Sequence, residues 1–215
     1  MLSVKCFPLG PLQVNTYLIY DVDTKEGILI DPGDYLDEIY SFVKENNIDI
    51  KYIINTHEHT DHIAFNKEAK RLFSKAKLCM HSLTAQEAPK WINSDFGRFL
   101  NAQEFVPPDN LLNDGEEVTL GNHLFKVIYT PGHSLGSICL FDKDADLIVA
   151  GDLIFRDSIG RYDLPGSNFE DLKDSIKKLS KILKDSTKIL PGHGPFTTWG
   201  REKKFNPYII EILSE

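Results

Sequence analysis

The segment Thr56-His57-Glu58-His59-Thr60-Asp61-His62 constrains this chain more than any other. It gathers three imidazoles and the carboxylate of Asp61, the ligand types that zinc and its first-row neighbours prefer. The apolar, β-branched run Tyr52-Ile53-Ile54 precedes it and reads as a buried strand ending where the histidines begin. Ligand clusters at the carboxyl ends of strands are typical of sites in α/β proteins. His57 and His59 stand at i and i+2, so an extended backbone aims both imidazoles one way and sends Glu58 and Thr60 elsewhere. A turn after Thr60 would bring Asp61 and His62 to the opposite side of the same cavity. The pattern is that of a metalloenzyme.

Three later positions supply what the cluster lacks. His133 and His193 each follow Pro-Gly at the end of an apolar strand, where glycine permits a sharp turn and proline stiffens the approach. Alone, each reads equally well as a turn histidine; beside the cluster both become candidate ligands. Asp152 emerges from Leu147-Ile148-Val149-Ala150-Gly151, and a carboxylate in so apolar a setting needs a partner that a metal would supply. A helix cap or a turn is the simpler alternative for it. His81 and His123 have no comparable context and are expected to be structural.

Periodicity organises the rest. Strands are expected over 3–7, 15–20, 27–31, 50–55 and 77–81, with helices over 35–46 and about 64–73. Residues 84–113, interrupted by Pro89, Pro107 and Pro108, read as the least regular part, a long loop whose Trp91, Phe96, Phe99 and Phe105 either anchor it to the core, the simpler reading, or line a binding cleft. The second half repeats the alternation, with strands near 116–120, 123–130, 137–142, 146–151 and 188–190 and a helix over about 169–183. Two stacked sheets with helices outside would bring the ligand-bearing loops to one edge.

Composition excludes several partners. With 32 acidic against 24 basic side chains the formal charge is −8, which disfavours nucleic acid and nuclease activity. Cys6, Cys79 and Cys139 are an odd, scattered set, expected as buried small hydrophobes in a reducing compartment rather than as a disulfide framework. No apolar run reaches the roughly 18 residues that span a bilayer, and the amino terminus lacks a signal-like core. A cytoplasmic protein with no membrane partner is expected, and at 215 residues most simply one domain.

Taken in order, His57-x-His59-x-Asp61-His62, His133, Asp152 and His193 resemble the ligand series of the metallo-β-lactamase superfamily. The likeness runs through nearly the whole chain and includes Asn15-Thr16-Tyr17, Ile30-Asp31-Pro32-Gly33 and Thr130-Pro131-Gly132-His133-Ser134. Gly151-Asp152-Leu153-Ile154-Phe155 and Ile159-Gly160-Arg161-Tyr162-Asp163 are similar to its small glyoxalase II-like hydrolases. The resemblance implies an α/β fold, a four-layer αββα sandwich of two mixed sheets flanked by helices, as one domain over 1–215. It implies two divalent metal ions, zinc first, with iron or manganese as alternatives. His57, His59 and His133 would hold the first, Asp61, His62 and His193 the second, and Asp152 would bridge them. The implied reaction is hydrolysis of a small-molecule acyl-thioester, such as S-lactoylglutathione, by a metal-bridging hydroxide that Asp61 orients. A thiolate leaving group, with a free thiol pKa of about 8.5, needs little help from a general acid.

The chain also departs from that pattern. Ile63-Ala64-Phe65-Asn66 stands where the family places a glycine pair, so that Phe65 would narrow the site or alter the next helix. The helical carboxyl-terminal domain of glyoxalase II proper is expected to be absent. Where those enzymes bind glutathione with Lys and Tyr, this chain has Arg161 and Asp163. Arg161 would meet a substrate carboxylate through a bidentate pair, or else the two residues pair with each other. Gly160-Arg161-x-Asp163 is also similar to persulfide dioxygenases, which use one iron at the first site. A non-catalytic, metal-stabilised binding protein is a weaker reading, and the cytoplasmic expectation disfavours β-lactamase activity.

Overall fold

Strands covered on both faces carry almost uninterrupted apolar sequence, and three of the central strands of this chain do so. The computed structural model describes residues 1–215. The first half comprises β1 (Leu2–Leu9), β2 (Val14–Asp21), β3 (Glu26–Ile30), α1 (Asp37–Glu45), β4 (Asp49–Ile54), α2 (Thr60–Ile63), α3 (Asn66–Leu72), β5 (Lys77–Met80), α4 (Ser82–Ile92), α5 (Asp95–Phe99) and β6 (Asn110–Leu111). The second comprises β7 (Glu117–Leu120), β8 (His123–Tyr129), β9 (Ile138–Asp142), β10 (Leu147–Gly151), β11 (Ile154–Phe155), β12 (Ser158–Ile159), α6 (Phe169–Ser180), β13 (Lys188–Pro191), β14 (Thr197–Thr198), α7 (Trp199–Phe205) and α8 (Pro207–Ser214). Strands β9 and β10 are buried at every position, and β2 at all but one.

Two six-stranded sheets result, one ordered β1-β2-β3-β4-β5-β6 and the other β14-β13-β10-β9-β8-β7. Both are mixed: β3, β4, β5 and β6 pair in parallel beside antiparallel β1–β3, and β10 pairs in parallel with β13 beside antiparallel β7–β10. Alternation splits each strand between two interiors. Ile19, Ile28 and Ile30 face Phe125, Val127, Leu140 and Val149 between the sheets. Leu18, Leu29 and Ile53 face Ile39, Val43 and Ala69 of α1 and α3. On the far side Cys139 and Ile148 meet Leu172, Ile176 and Leu179 of α6, with Trp199 and Ile209 from α7 and α8. The layers are helix, sheet, sheet, helix, the four-layer arrangement expected. Each of the valine, leucine, isoleucine and phenylalanine side chains among these contributes about 1.5–3 kcal/mol on burial.

Topology places the site. Strands β8, β10 and β13 share one direction, β3 and β4 share one in the other sheet, and the loops after all five converge at one edge. There the sheets are stitched together by the amide of Asn15 donating to the carbonyl of Gly192 (2.7 Å) and that of Ile138 to Thr56 (2.8 Å).

The structure corrects parts of the secondary-structure reading. Residues 84–113 are not a long loop: α4 runs through Pro89, and α5 and β6 follow. Proline removes one helical hydrogen bond. Burial of Thr84, Ala88 and Ile92, with His81 Nδ1 accepting from the Leu83 amide (3.3 Å), holds the helix nonetheless. The helix expected near 64–73 is α3, and a separate short helix that was not expected, α2, precedes it across Ala64 and Phe65, the Phe65 amide donating to the Pro32 carbonyl (3.0 Å). Phe65 is buried 4.8 Å from the Tyr35 ring and does not line the pocket, so it alters helix packing and leaves the site's width alone. The hairpin β11–β12, β14, α7 and α8 had no counterpart in the pattern. The cysteines are all free, Cys79 and Cys139 buried and Cys6 partly so. No helix is long and apolar enough to cross a membrane.

Candidate metal centre

The cluster begins two residues beyond β4, bends at Thr56 and His57, is extended at His59 and enters α2 at Thr60. Three groups of candidate ligand atoms result, each within 4.8 Å: His57, His59 and His133; Asp61, His62 and His193; and Asp31, His57 and His62. The first two bring together the residues that the resemblance assigns to each metal, and the third adds Asp31. Within the first, His59 Nδ1 and His133 Nε2 are 2.9 Å apart. In the second, His193 Nε2 lies 3.1 Å from Asp61 Oδ2 and 3.3 Å from His62 Nε2. Asp152, after β10, stands between them: Oδ2 is 3.6 Å from His133 and 3.7 Å from His193, and Oδ1 is 3.4 Å from His62. The two Pro-Gly turns have distinct reasons for glycine. Gly132 has φ +131° and lies against the backbone of Leu172, whereas a Cβ on Gly192 would collide with the Asp152 carboxylate.

Hydrogen bonds around the centre set which nitrogen of each imidazole is free. His62 Nδ1 donates to Asp31 Oδ2 (2.9 Å), His133 Nδ1 to the Arg161 carbonyl (2.9 Å) and His193 Nδ1 to the Leu12 carbonyl (3.1 Å). The Thr56 hydroxyl gives its one proton to Asp31 Oδ2 (2.7 Å) and so accepts from His57 Nδ1 (3.0 Å). Four Nε2 lone pairs therefore face inward. Burial holds the His57 pKa well below its usual range and pushes His59 down to about 3, so both are neutral ligands. Burial also opposes charge on His62, but the fields of Asp152, Asp61 and Asp31 outweigh it and raise its pKa. Burial acts against ionised Asp61 and Asp152 as well; His62 chiefly overcomes it, and both carboxyls lie below their usual range.

Two polar atoms test whether a metal fits. His57 Nε2 and Asp152 Oδ1 are buried with no hydrogen-bond partner in the protein. An orphaned buried acceptor costs about 1–3 kcal/mol, and a cation satisfies such an atom. This set of imidazoles and carboxylates fits a divalent metal.

The interleaved residues have separate tasks. Glu58 is buried and turned away, accepting from Ser134 Oγ (3.0 Å), the Leu135 and Gly136 amides (3.0 and 3.2 Å) and Thr84 Oγ1 (3.3 Å), which ties down the loop after His133. Thr60 Oγ1 donates to the Trp91 carbonyl (2.9 Å). His81 stacks on Tyr129 and His123 pairs with Asp142, both outside the ligand groups. A cavity of about 410 Å³ opens over the ligands and includes Arg161 in its lining. Arg161 and Asp163 form the bidentate pair with each other (2.7 and 2.9 Å), exposed to solvent, and Asp163 does not line the cavity.

Sequence reasoning passed over Asp31, Thr56 and the Leu12 carbonyl as parts of the site, and it held cleft lining by Trp91 and Phe96, which the cavity shows, only as the alternative to loop anchoring. Asp31 carried the signal used for Asp152, a carboxylate at the end of the apolar run Ile28-Leu29-Ile30. The others are defined only by contacts across the chain.

Known proteins are similar to this chain in sequence and fold. A hydroxyacylglutathione hydrolase, GloC, from Haemophilus influenzae is 30% identical over 216 residues, covering 97% of this chain and 98% of that one. The crystal structure of the BLEG-1 B3 metallo-beta-lactamase superposes with a TM-score of 0.87 at 33% identity, over 96% of this chain and 99% of that one. TTHA1623, solved in a di-iron-bound form, gives 0.82 at 33% identity, over 95% and 100%. ETHE1 from Myxococcus xanthus gives 0.77 at 26% identity, over 97% and 85%. The sequence profile of the metallo-beta-lactamase superfamily matches residues 9–193, a span that contains every candidate ligand described above. The chain belongs to the metallo-beta-lactamase superfamily.

Proposed function

We propose that this protein is a binuclear metal-dependent hydrolase of small-molecule acyl-thioesters, glyoxalase II-like in type, with zinc as its metal. The observation that carries this reading is Asp152, one carboxylate only 11% exposed and within 3.7 Å of imidazoles from both ligand groups, in the lining of an open cavity. Metal ions held by the two groups would supply Lewis acidity and a water acidic enough to act as nucleophile near neutral pH. No other nucleophile competes in the lining. No cysteine lies there, and its one serine, Ser158, has its hydroxyl on the Ile159 carbonyl (3.4 Å) with no imidazole as base. Asp61, held ionised beside His62 and His193, accepts a hydrogen bond and orients the attacking water. A departing thiolate is a weak base, so the absence of a dedicated acid among the non-ligand residues suits a thioester better than an amide. Arg161, exposed at the rim, exchanges Asp163 for a carboxylate of the thiol carrier. The printed activity of the Haemophilus relative supports the same class.

Metal analysis and turnover test this together. Zinc-loaded protein is expected to hold nearly two metals per chain and to hydrolyse S-lactoylglutathione or another acyl-thioester. Asp61→Asn should lose hydrolysis; full activity with full metal content would refute the role of Asp61. The likeness to ETHE1 and the Gly160-Arg161-x-Asp163 motif favour a second reading, a mononuclear-iron persulfide dioxygenase. One iron per chain with oxygen consumption on glutathione persulfide would establish it in place of the hydrolase. No turnover of any thioester or persulfide would leave a metal-stabilised binding protein.

A further inference from the structure

The cavity over the ligands has a bias that the ligands do not account for. Apart from the five that line it, its walls are Leu12, Trp91, Phe96, Phe155, Ile159 and Leu164, with Ser158 and Arg161 as the remaining polar side chains. Aromatic surface stands on both ligand groups: the Trp91 ring is 4.4 Å from that of His59, and Phe155 is 6.3 Å from His193. Trp91 is held there by the centre itself, because its carbonyl accepts from Thr60, the residue between two ligands (2.9 Å), and from Ser94 Oγ (2.6 Å). Charge is confined to the rim, where the Arg161 side chain is 60% exposed, whereas Ile159 is buried. A thioester whose carbonyl reaches the ligands therefore keeps its charged carrier in water beside Arg161 and lays its acyl chain on the inner apolar walls. A hydroxyacyl group would lose hydration of its hydroxyl there, with Ser158 as the only neutral polar side chain to meet it.

We propose that the acyl subsite takes a bulky apolar acyl group, medium-chain or aromatic, in preference to a small hydroxyacyl group, and that Trp91 is the residue that sets this preference. This rests on the thioester-hydrolase reading and narrows its substrate class.

The zinc-loaded full chain is compared on acetyl, lactoyl, hexanoyl and phenylacetyl thioesters of glutathione, and in binding to the non-hydrolysable S-methyl, S-butyl and S-hexyl thioethers of the same carrier. Burial of each added methylene gives about fourfold, so the hexanoyl ester is expected to exceed the acetyl and lactoyl esters by more than ~30-fold in kcat/KM. Trp91→Ala should lower the hexanoyl-to-acetyl ratio at least ~10-fold while Trp91→Phe holds it within about threefold. Thioether Kd values should follow the same order in each protein. Lactoyl turnover equal to or above hexanoyl, or a ratio unchanged in Trp91→Ala, would overturn the proposal. If no thioester is hydrolysed the thioesterase reading falls by itself, and the thioether series still decides on the subsite: affinities that do not rise with chain length refute it.

Discussion

Replacing Asp31 with Asn asks whether one buried carboxylate orients a histidine in each ligand group. Asp31 Oδ1 accepts from the Thr56 amide (2.7 Å), and Oδ2 from the Thr56 hydroxyl (2.7 Å) and His62 Nδ1 (2.9 Å). Asparagine keeps the shape but has a single acceptor oxygen. If that oxygen stays on the Thr56 amide, its NH₂ meets the hydroxyl and the imidazole. His62 then turns its Nδ1 lone pair to the new donor and carries its proton on Nε2, the atom that faces the second group. Loss of such an outer hydrogen bond costs about 10–100-fold in metal affinity, or about 1.4–2.7 kcal/mol. His57 makes no direct hydrogen bond to Asp31 and is linked to it through Thr56, with its ring nitrogen within 4.8 Å of the carboxylate, so the first group should lose less than about tenfold. The assay is zinc titration against a competing chelator, resolving two binding steps, with apo-protein melting as the control. One mismatched buried donor costs about 1–3 kcal/mol, or roughly 2–10 °C in Tm for a chain of this length. Thr56→Val removes the partner of His57 Nδ1 and leaves that of His62, so it should reverse the asymmetry. Equal losses at both sites in Asp31→Asn, or none, in a protein that melts normally would refute the tautomer argument.

Three further outcomes are expected. His57→Ala and His193→Ala each disable one ligand group, so mass spectrometry should find about one metal per chain in either variant and about two in the parent; unchanged stoichiometry would remove that histidine from the ligand set. Gly192→Ala drives a methyl group into the Asp152 carboxylate, and zinc affinity should fall by about 10-fold or more with less than ~2 kcal/mol lost in urea unfolding; unaltered zinc binding would show that the turn has room to give. Hydrogen bonds from the Asn122 and Asp23 amides, with the Met1 amine adding to them, hold Asp21 well below the usual carboxylate range. A folded pKa depressed in this way contributes stability above the unfolded value of about 3.9 and loses it as pH falls towards the folded one. Asp21→Asn should therefore cost roughly 1–3 kcal/mol at pH 7. The gap to the parent should close below about pH 4; a gap constant to acid pH would contradict the linkage.

Part of the site was legible because its ligands are local. His57, His59, Asp61 and His62 are neighbours at one strand end, and the other three ligands each follow an apolar strand, so their types and spacing were visible along the chain. The strands were legible for the same reason, because burial on one or both faces leaves its period in the residues. The helix at Ser82–Ile92 was not, because Pro89 argues locally against it and only the burial of Thr84, Ala88 and Ile92 decides the matter. Nor was the task of Glu58, indistinguishable by type from a ligand until Ser134, Leu135 and Gly136 are seen to claim its oxygens.

The amino-acid order by itself determined the ligand inventory, the layered α/β architecture and the superfamily, since each depends on which residues stand together or at a fixed period. Tertiary structure decided how closely the candidate ligands approach one another, with Asp152 between two groups of them, which nitrogen each imidazole offers, and that aromatic side chains wall the cavity. Those properties arise from contacts between segments far apart in the chain, Thr56 with Asp31, His133 with Arg161, His193 with Leu12 and Thr60 with Trp91. Such contacts leave no period or spacing in the sequence, because folding alone makes these residues neighbours.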